Sequence, residues 1–296
     1  MDNYTLMTDV TADLDARTYE DMGVVCIPMG FMFGETEYMH HADEREMSVA
    51  TFYERLKNGE MPKTAQINPL VYREYFEESL KNGKDVLYLA FSTGLSGSCA
   101  TATMVARELE EEYPGRTVRV IDTLCASVGE GWVVINAAKA YKNGATFDEL
   151  TAIVQNDIAC CCQWFTVENL MHLRRGGRLN SFEAIVGSAL KIQPVLTIDP
   201  EGKLTVVSKE RGTRNALLYL MRRLREDATH PETQTILLAH ADCQEKAEML
   251  RTMVKEAYPE ADVRVYSIGP IIGSHVGNGM CAMVFGGARP GFLKEE

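Results

Sequence analysis

The sequence predicts an α/β protein in two parts: a parallel-sheet N-terminal α/β domain over residues 1–160 and a C-terminal α+β domain over 161–296 with a mixed or antiparallel sheet. Three observations lead there. The chain has 296 residues, longer than most single domains. Its first half alternates short apolar runs with helical patterns, at lengths that suit a parallel sheet covered on both faces. Its second half holds a hairpin signal, Asp199-Pro200-Glu201-Gly202, between two β-rich runs.

In chain order, Tyr4–Met7 and Val24–Met29 read as strands. Ser48–Lys57 and Pro69–Asn82 read as helices, the second opened by Asn68 as N-cap and Pro69 in the first turn. Val86–Ala90 is a strand, a glycine-serine turn follows, and a helix runs from about Ser98 to Glu112. Val118–Ile121 is a strand; Val128–Tyr141 and Thr146–Asp157 are helices. After the boundary come a strand at Cys160–Val167, the hairpin strands Val195–Ile198 and Leu204–Val207, and a helix at Asn215–Arg225. The strand Thr235–Ala239, the helix Gln244–Ala257 and the strands Val263–Ile268 and Met280–Phe285 complete the chain. No linker rich in Pro, Gly or Ser marks the boundary, so it rests on the change of pattern.

Composition narrows the function. With 46% hydrophobic and 24% charged residues the chain is an ordinary globular protein. A net charge of -12 argues against nucleic acid as a partner and against resting on anionic membranes. No run approaches the roughly 18 apolar residues of a membrane helix, so no stable membrane insertion is expected. The start, Met1 to Thr8, lacks the basic and apolar stretches of a signal peptide. The eight cysteines form no C-x-x-C pair and fit buried reduced thiols, which together point to a cytoplasmic protein.

Four segments could carry chemistry. Phe91-Ser92-Thr93-Gly94-Leu95-Ser96-Gly97-Ser98 lies between a buried strand and a helix, where a parallel sheet places its ligands. Its hydroxyls and free N–H groups suit a carboxylate or phosphate, and a plain helix cap with a flexible turn explains the same residues. A nucleophile elbow is a further reading, with Ser96 as an esterase nucleophile and His275 as its base, although the elbow's second glycine is misplaced. Pro62-Lys63-Thr64-Ala65-Gln66 reads as a polar loop ahead of a helix. In Ile268–Gly279, four glycines in eleven residues imply unusual backbone angles or close approach, and His275 is either a packing residue or a ligand-facing donor. His172–Asn180 sets three arginines around Gly176-Gly177, a site for a phosphate or an acidic partner or else a solvated basic turn. His40-His41 reads as a surface pair, and Met29 to Phe33 as core that could also line an apolar pocket.

These segments occur in a familiar order. Thr8-Asp9-Val10-Thr11-Ala12-Asp13-Leu14 is similar to the D-S-T-A-D-L opening of the DegV family. Pro62–Gln66 resembles its P-x-T-S-Q-P, Ser92–Ser98 its S-S-x-L-S-G-T, and Leu173–Arg178 its L-x-[KR]-G-G-R. Leu190-Lys191-Ile192-Gln193-Pro194-Val195-Leu196 resembles L-K-I-K-P-I-L, and Ile268-Gly269-Pro270 with Ser274-His275-Val276-Gly277 completes the set. Val10, Ala65 and Ile67-Asn68 depart from the pattern, but none of them removes Thr64 or Ser96.

The resemblance implies a two-domain DegV-like fold with one long-chain fatty acid held between or within the domains, and no cofactor besides that ligand. It places the acyl carboxylate on Thr64 and Ser96, with Ser92 and His275 as neighbours. It implies a non-catalytic carrier that presents the carboxylate to a separate fatty acid kinase subunit, with Arg174 and Arg178 at the phosphate or the partner. Burying a tail of about sixteen carbons is worth on the order of 12 kcal/mol before ordering costs, enough for tight non-covalent binding.

Overall fold

The computed structural model describes residues 3–179 and 192–292. The N-terminal half begins with β1 (Tyr4–Asp9), which Asp9 ends by capping a 3-10 turn at Val10–Ala12. Next come α1 (Ala16–Met22), β2 (Val25–Ile27), β3 (Met29–Phe33) and β4 (Thr36–His40). α2 (Val49–Lys57), β5 (Pro62–Thr64), α3 (Pro69–Lys81) and β6 (Asp85–Ala90) follow, then α4 (Ser98–Glu112), β7 (Val118–Asp122), α5 (Val128–Lys142) and α6 (Phe147–Cys160). Side chains start several helices, at Asn68 as the sequence promises. Ser48 accepts from Thr51 N, Asn68 from Leu70 N, and Thr146 with Glu149 forms a capping box.

The second half contains β8 (Cys161–Thr166), α7 (Met171–Arg175), β9 (Ile192–Ile198), β10 (Leu204–Arg211) and α8 (Thr213–Asp227). It ends with β11 (Thr235–His240), α9 (Gln244–Ala257), β12 (Asp262–Ser267), α10 (Pro270–Val276) and β13 (Cys281–Gly286). A four-stranded parallel sheet, β2-β1-β6-β7, organises the first half. A six-stranded mixed sheet, β10-β9-β8-β13-β11-β12, organises the second. The chain enters that mixed sheet at Cys161, where α6 ends.

The expected fold class therefore stands, with additions. A third sheet, β4-β3-β5, is antiparallel and draws on residues read from sequence as an apolar run and a loop. β5 has three residues, too few for alternation to show, and it starts on Pro62, whose missing N–H an edge strand tolerates. Pairing Thr64 with Phe31 fixes the Thr64 backbone on this sheet rather than on a free loop. The glycine-rich stretch 269–279 contains a helix, α10, with Gly269 as N-cap and Pro270 at N1. Its glycines do mark close approaches: a Cβ on Gly273 would collide with Tyr53 and Phe52, and one on Gly277 with His172. His40 departs from its expected surface position. It is 6% exposed, lies under Gly269, and burial lowers its pKa to about 4.

One apolar core runs through both halves, from Leu6 and Leu87 in the parallel sheet to Phe165, Leu196 and Leu237 in the mixed sheet. A second lies behind the mixed sheet, under α8 and α9, around Trp164, Leu220 and Leu250. On β8 the alternation is clean. Cys161 and Phe165 pack into the first core, Cys162 and Trp164 into the second.

Candidate functional site

The parallel strands β1, β6 and β7 end in the segments Asp9–Thr11, Phe91–Ser98 and Asp122–Ser127, all on the same edge of the sheet. That edge is where an open parallel sheet receives ligands. The mixed sheet and α10 face it, and between them lies a cavity whose atom-free space, open solvent at its mouth included, is about 860 Å³. Its walls are mainly apolar: Met29, Phe91, Phe165, Leu173, Ile272 and Val284 among them. Polar side chains are few, as expected where a small number of groups orient a largely apolar ligand.

Four of those polar groups come from four separate segments. Thr64 lies at the end of β5, Ser96 in the turn before α4, Arg178 after α7, and His275 on α10, and all four line the cavity. Thr64 Oγ1 and His275 Nε2 share a hydrogen bond of 2.9 Å. Ser96 Oγ accepts from Ser98 N at 3.2 Å and meets Ser98 Oγ at 3.1 Å; with Ser98 as the donor of that pair, the Ser96 proton is available to a ligand. Burial, and then the charge of Arg178, hold the His275 pKa down to about 4, so the ring is neutral at ordinary pH. If its proton sits on Nε2, His275 donates to Thr64 and frees the Thr64 hydroxyl to donate as well.

Arg178 is half-buried, donates from Nε to Leu95 O at 3.0 Å and from Nη1 to Gly176 O, and burial lowers its pKa. It has no ion pair with a carboxylate among the described residues. A cation facing an apolar cavity without a counter-ion favours an anionic ligand there. Gly176 is required at its position, because a Cβ would collide with the imidazole of His275. Arg174 differs from Arg178: it is exposed on α7, away from the cavity wall.

Ser92, expected beside the carboxylate, does not line the cavity. It is fully buried, donates to Gly202 O at 2.8 Å and accepts from Gly94 N at 3.2 Å. Its work is to dock the β9–β10 turn onto the Ser92–Ser98 segment. Gly94 makes that contact possible, since a Cβ there would strike the carbonyls of Glu201 and Gly202. Leu190 and Lys191 of the L-K-I motif, and Asn180, lie outside the described residues.

Sequence reasoning missed a second polar group in the cavity wall. Asp9 is fully buried and accepts from Thr11 N at 2.9 Å, from Thr11 Oγ1, and from Tyr88 OH at 2.5 Å. Glu130, also fully buried, accepts from Thr8 Oγ1 at 2.8 Å and can accept from Thr11 Oγ1 at 3.1 Å. Burial raises the pKa of both carboxyls, and neither has a cationic partner among the described residues. Asp13 is raised to about 7, chiefly by burial; it ties the turn to Ser127 Oγ at 2.6 Å and to Gly269 N at 2.9 Å. An Asp-x-Thr-x-Asp pattern at a strand end signals this network through its Asx turn, but only folding brings Glu130 to it.

Comparison with known proteins agrees with this architecture. A family model described as "Uncharacterised protein, DegV family" matches residues 3–286. A DegV domain-containing protein of Clostridium perfringens is 38% identical over 285 residues, covering 96% of this chain and 98% of that one. Among solved structures, a DegV family protein of Thermus thermophilus, described as binding fatty acid, superposes with a TM-score of 0.85 at 27% identity. The match covers 96% of this chain and 99% of that one. DegV of Bacillus subtilis, described as a fatty acid binding protein, gives 0.83 at 27% identity, with 96% and 99% covered. None of the helices among the described residues is long and apolar enough to cross a membrane.

Proposed function

Because this chain belongs to the DegV family, we propose that it binds one long-chain fatty acid, with its tail in the cavity between the two large sheets and its carboxylate at Thr64, Ser96, His275 and Arg178. The observation that carries this reading is the shape of the polarity. One region of a mainly apolar cavity holds hydroxyl donors and an arginine with no carboxylate partner among the described residues. The Thermus and Bacillus relatives, described as binding fatty acid, support it.

We further propose that the protein acts as a carrier rather than an enzyme, and that a separate fatty acid kinase subunit phosphorylates the presented carboxylate. Hydroxyl donors and a single arginine can stabilise a carboxylate without enclosing both oxygens, which keeps one free to attack a phosphoryl donor. Arg174, exposed on α7 four residues before Arg178, is the residue we assign to the partner contact. The hydrolase alternative fits the geometry less well. His275 Nε2 bonds Thr64 rather than Ser96, and its Nδ1 has no partner among the described residues to orient it as a base. A histidine with a pKa of about 4 is also a weak base for activating serine.

Native mass spectrometry of the freshly purified protein tests the carrier reading. One fatty acid per chain, released on denaturation, is the expected result. Absence of an adduct after incubation with a range of fatty acids would sink it, and turnover of a fluorogenic ester lost in Ser96→Ala would move the function to hydrolysis.

A further inference from the structure

The far part of the cavity holds a buried donor that the carboxylate site does not use. Gln163 lies on β8, 4% exposed, on the face that carries Phe165 into the cavity. Its Oε1 accepts from Ala126 N at 3.0 Å, which fixes the orientation of the amide. Its Nε2 has no hydrogen-bond partner among the described residues. The position is built for this side chain: Gly129, in the first turn of α5, leaves room for the amide, and a Cβ there would collide with it.

The register places Gln163 away from the carboxylate end. On β8 it precedes Phe165 by two residues, and Val284 pairs with it as Ala282 pairs with Phe165. Met280, Ala282 and Val284 all line the cavity and lead away from α10 and His275. Met280 to Val284 spans about 13 Å at roughly 3.3 Å per residue. Around Gln163 the wall is formed by Ala126, Ser127 and Val128 at the start of α5. Ser127 holds a backbone at φ 54 and ψ -138, a region that side chains rarely adopt, and donates its proton to Asp13, which leaves its lone pairs free to accept. An unpartnered donor on Gln163 and an acceptor on Ser127 thus belong to the same stretch of the cavity wall.

We propose that Gln163 is a specificity-determining residue for the acyl tail, donating from Nε2 to an oxygen on the chain, so that the preferred cargo is a long-chain acid bearing a hydroxyl or keto group remote from its carboxylate. This rests on the fatty-acid reading above. A saturated tail in the same cavity leaves the Nε2 protons desolvated and unpaired, a penalty that an oxygenated tail removes. Discrimination by a buried donor works in this direction, because the unpaired group makes the wrong ligand costly.

The test compares stearic acid with positional isomers of monohydroxystearic acid by calorimetric titration of delipidated protein. Wild type is expected to prefer one remote isomer over stearic acid by about three- to ten-fold, the range of a single hydrogen bond, with no gain from an α-hydroxyl. In Gln163→Leu, and in Gln163→Met in case leucine prevents folding, that ratio is expected to fall to about one. If affinity shows no peak with hydroxyl position in wild type, or if both folded variants keep the preference, the proposal is overturned and the amide merely holds a water. If wild type binds neither stearic acid nor any isomer, the fatty-acid reading itself fails, a distinct result.

Discussion

Two polar regions at the cavity solve opposite problems. At Thr64, Ser96, His275 and Arg178, donors and a positive charge face the cavity with no carboxylate among the described residues to oppose them. At Asp9, Thr11 and Glu130, two buried carboxyls share one threonine hydroxyl, which has a single proton to give. The first region invites an anion. The second has no counter-charge among the described residues, and burial pushes both of its carboxyls toward their protonated forms, so it offers no site for a further negative charge. The difference teaches where a carboxylate can rest: beside Arg178 and the hydroxyl donors, and not beside Asp9 and Glu130.

The largest effect should come from closing the space that the comparison presupposes. Ala282 lines the cavity beside Phe165, and Ala282→Trp should displace several methylenes of the tail. At about 0.8 kcal/mol each, losing four of them weakens binding of a long-chain acid about 200-fold, with the circular dichroism spectrum unchanged. Undiminished binding would show that the tail lies elsewhere.

Removing a donor from the anionic end comes next. Thr64→Val and Ser96→Ala should each weaken palmitate about ten-fold, the scale of one hydrogen bond to a charged group. The corresponding long-chain alcohol should lose much less, and phosphorylation by a kinase partner should fall further than binding. Equal losses for acid and alcohol would assign both residues to packing.

The neutral end should show itself in stability. The Glu130 pKa is raised well above 4.5 by burial, so the folded state keeps a proton that the unfolded chain gives up. That stability is fully present below about pH 4.5 and is lost as pH rises toward the folded pKa. Glu130→Gln keeps the hydrogen-bonding shape without the acid, and its melting temperature should fall less between about pH 4.5 and pH 8 than that of wild type. A slope equal to that of wild type would mean that Glu130 is ionised in the fold.

The smallest effect belongs to His275. Its pKa of about 4 lies below the unfolded value of 6.5, so its contribution is present above pH 6.5 and lost as pH falls toward 4. His275→Gln should soften acid destabilisation across that window by a few degrees at most in melting temperature.

Much of the fold was legible because helix starts and buried strands have local signatures. Asn68-Pro69 announces a helix, and Val86–Ala90 a buried strand. β5 and α10 were not legible, since one is three residues long and the other hides among glycines that are there for close packing. Of the anionic end, the Ser92–Ser98 turn was legible as an anion site from its own residues, whereas Thr64 joined it only through the family resemblance. Thr64 and His275 are 211 positions apart, and no local pattern links them. Ser92 shows the converse limit: a serine in the right motif, one turn from Ser96, faces the β9–β10 turn instead of the cavity. Gln163 gave no signal, because a lone glutamine in a strand acquires meaning only from the Gly129 that makes room for it.

The most direct test of the central claim is a crystal structure with an ω-bromo fatty acid, located by the anomalous signal of bromine. The account predicts a carboxylate between Thr64 and Ser96 and bromine toward the Val284 end of the cavity. Bromine beside His275, or no ordered ligand in the cavity, would contradict it.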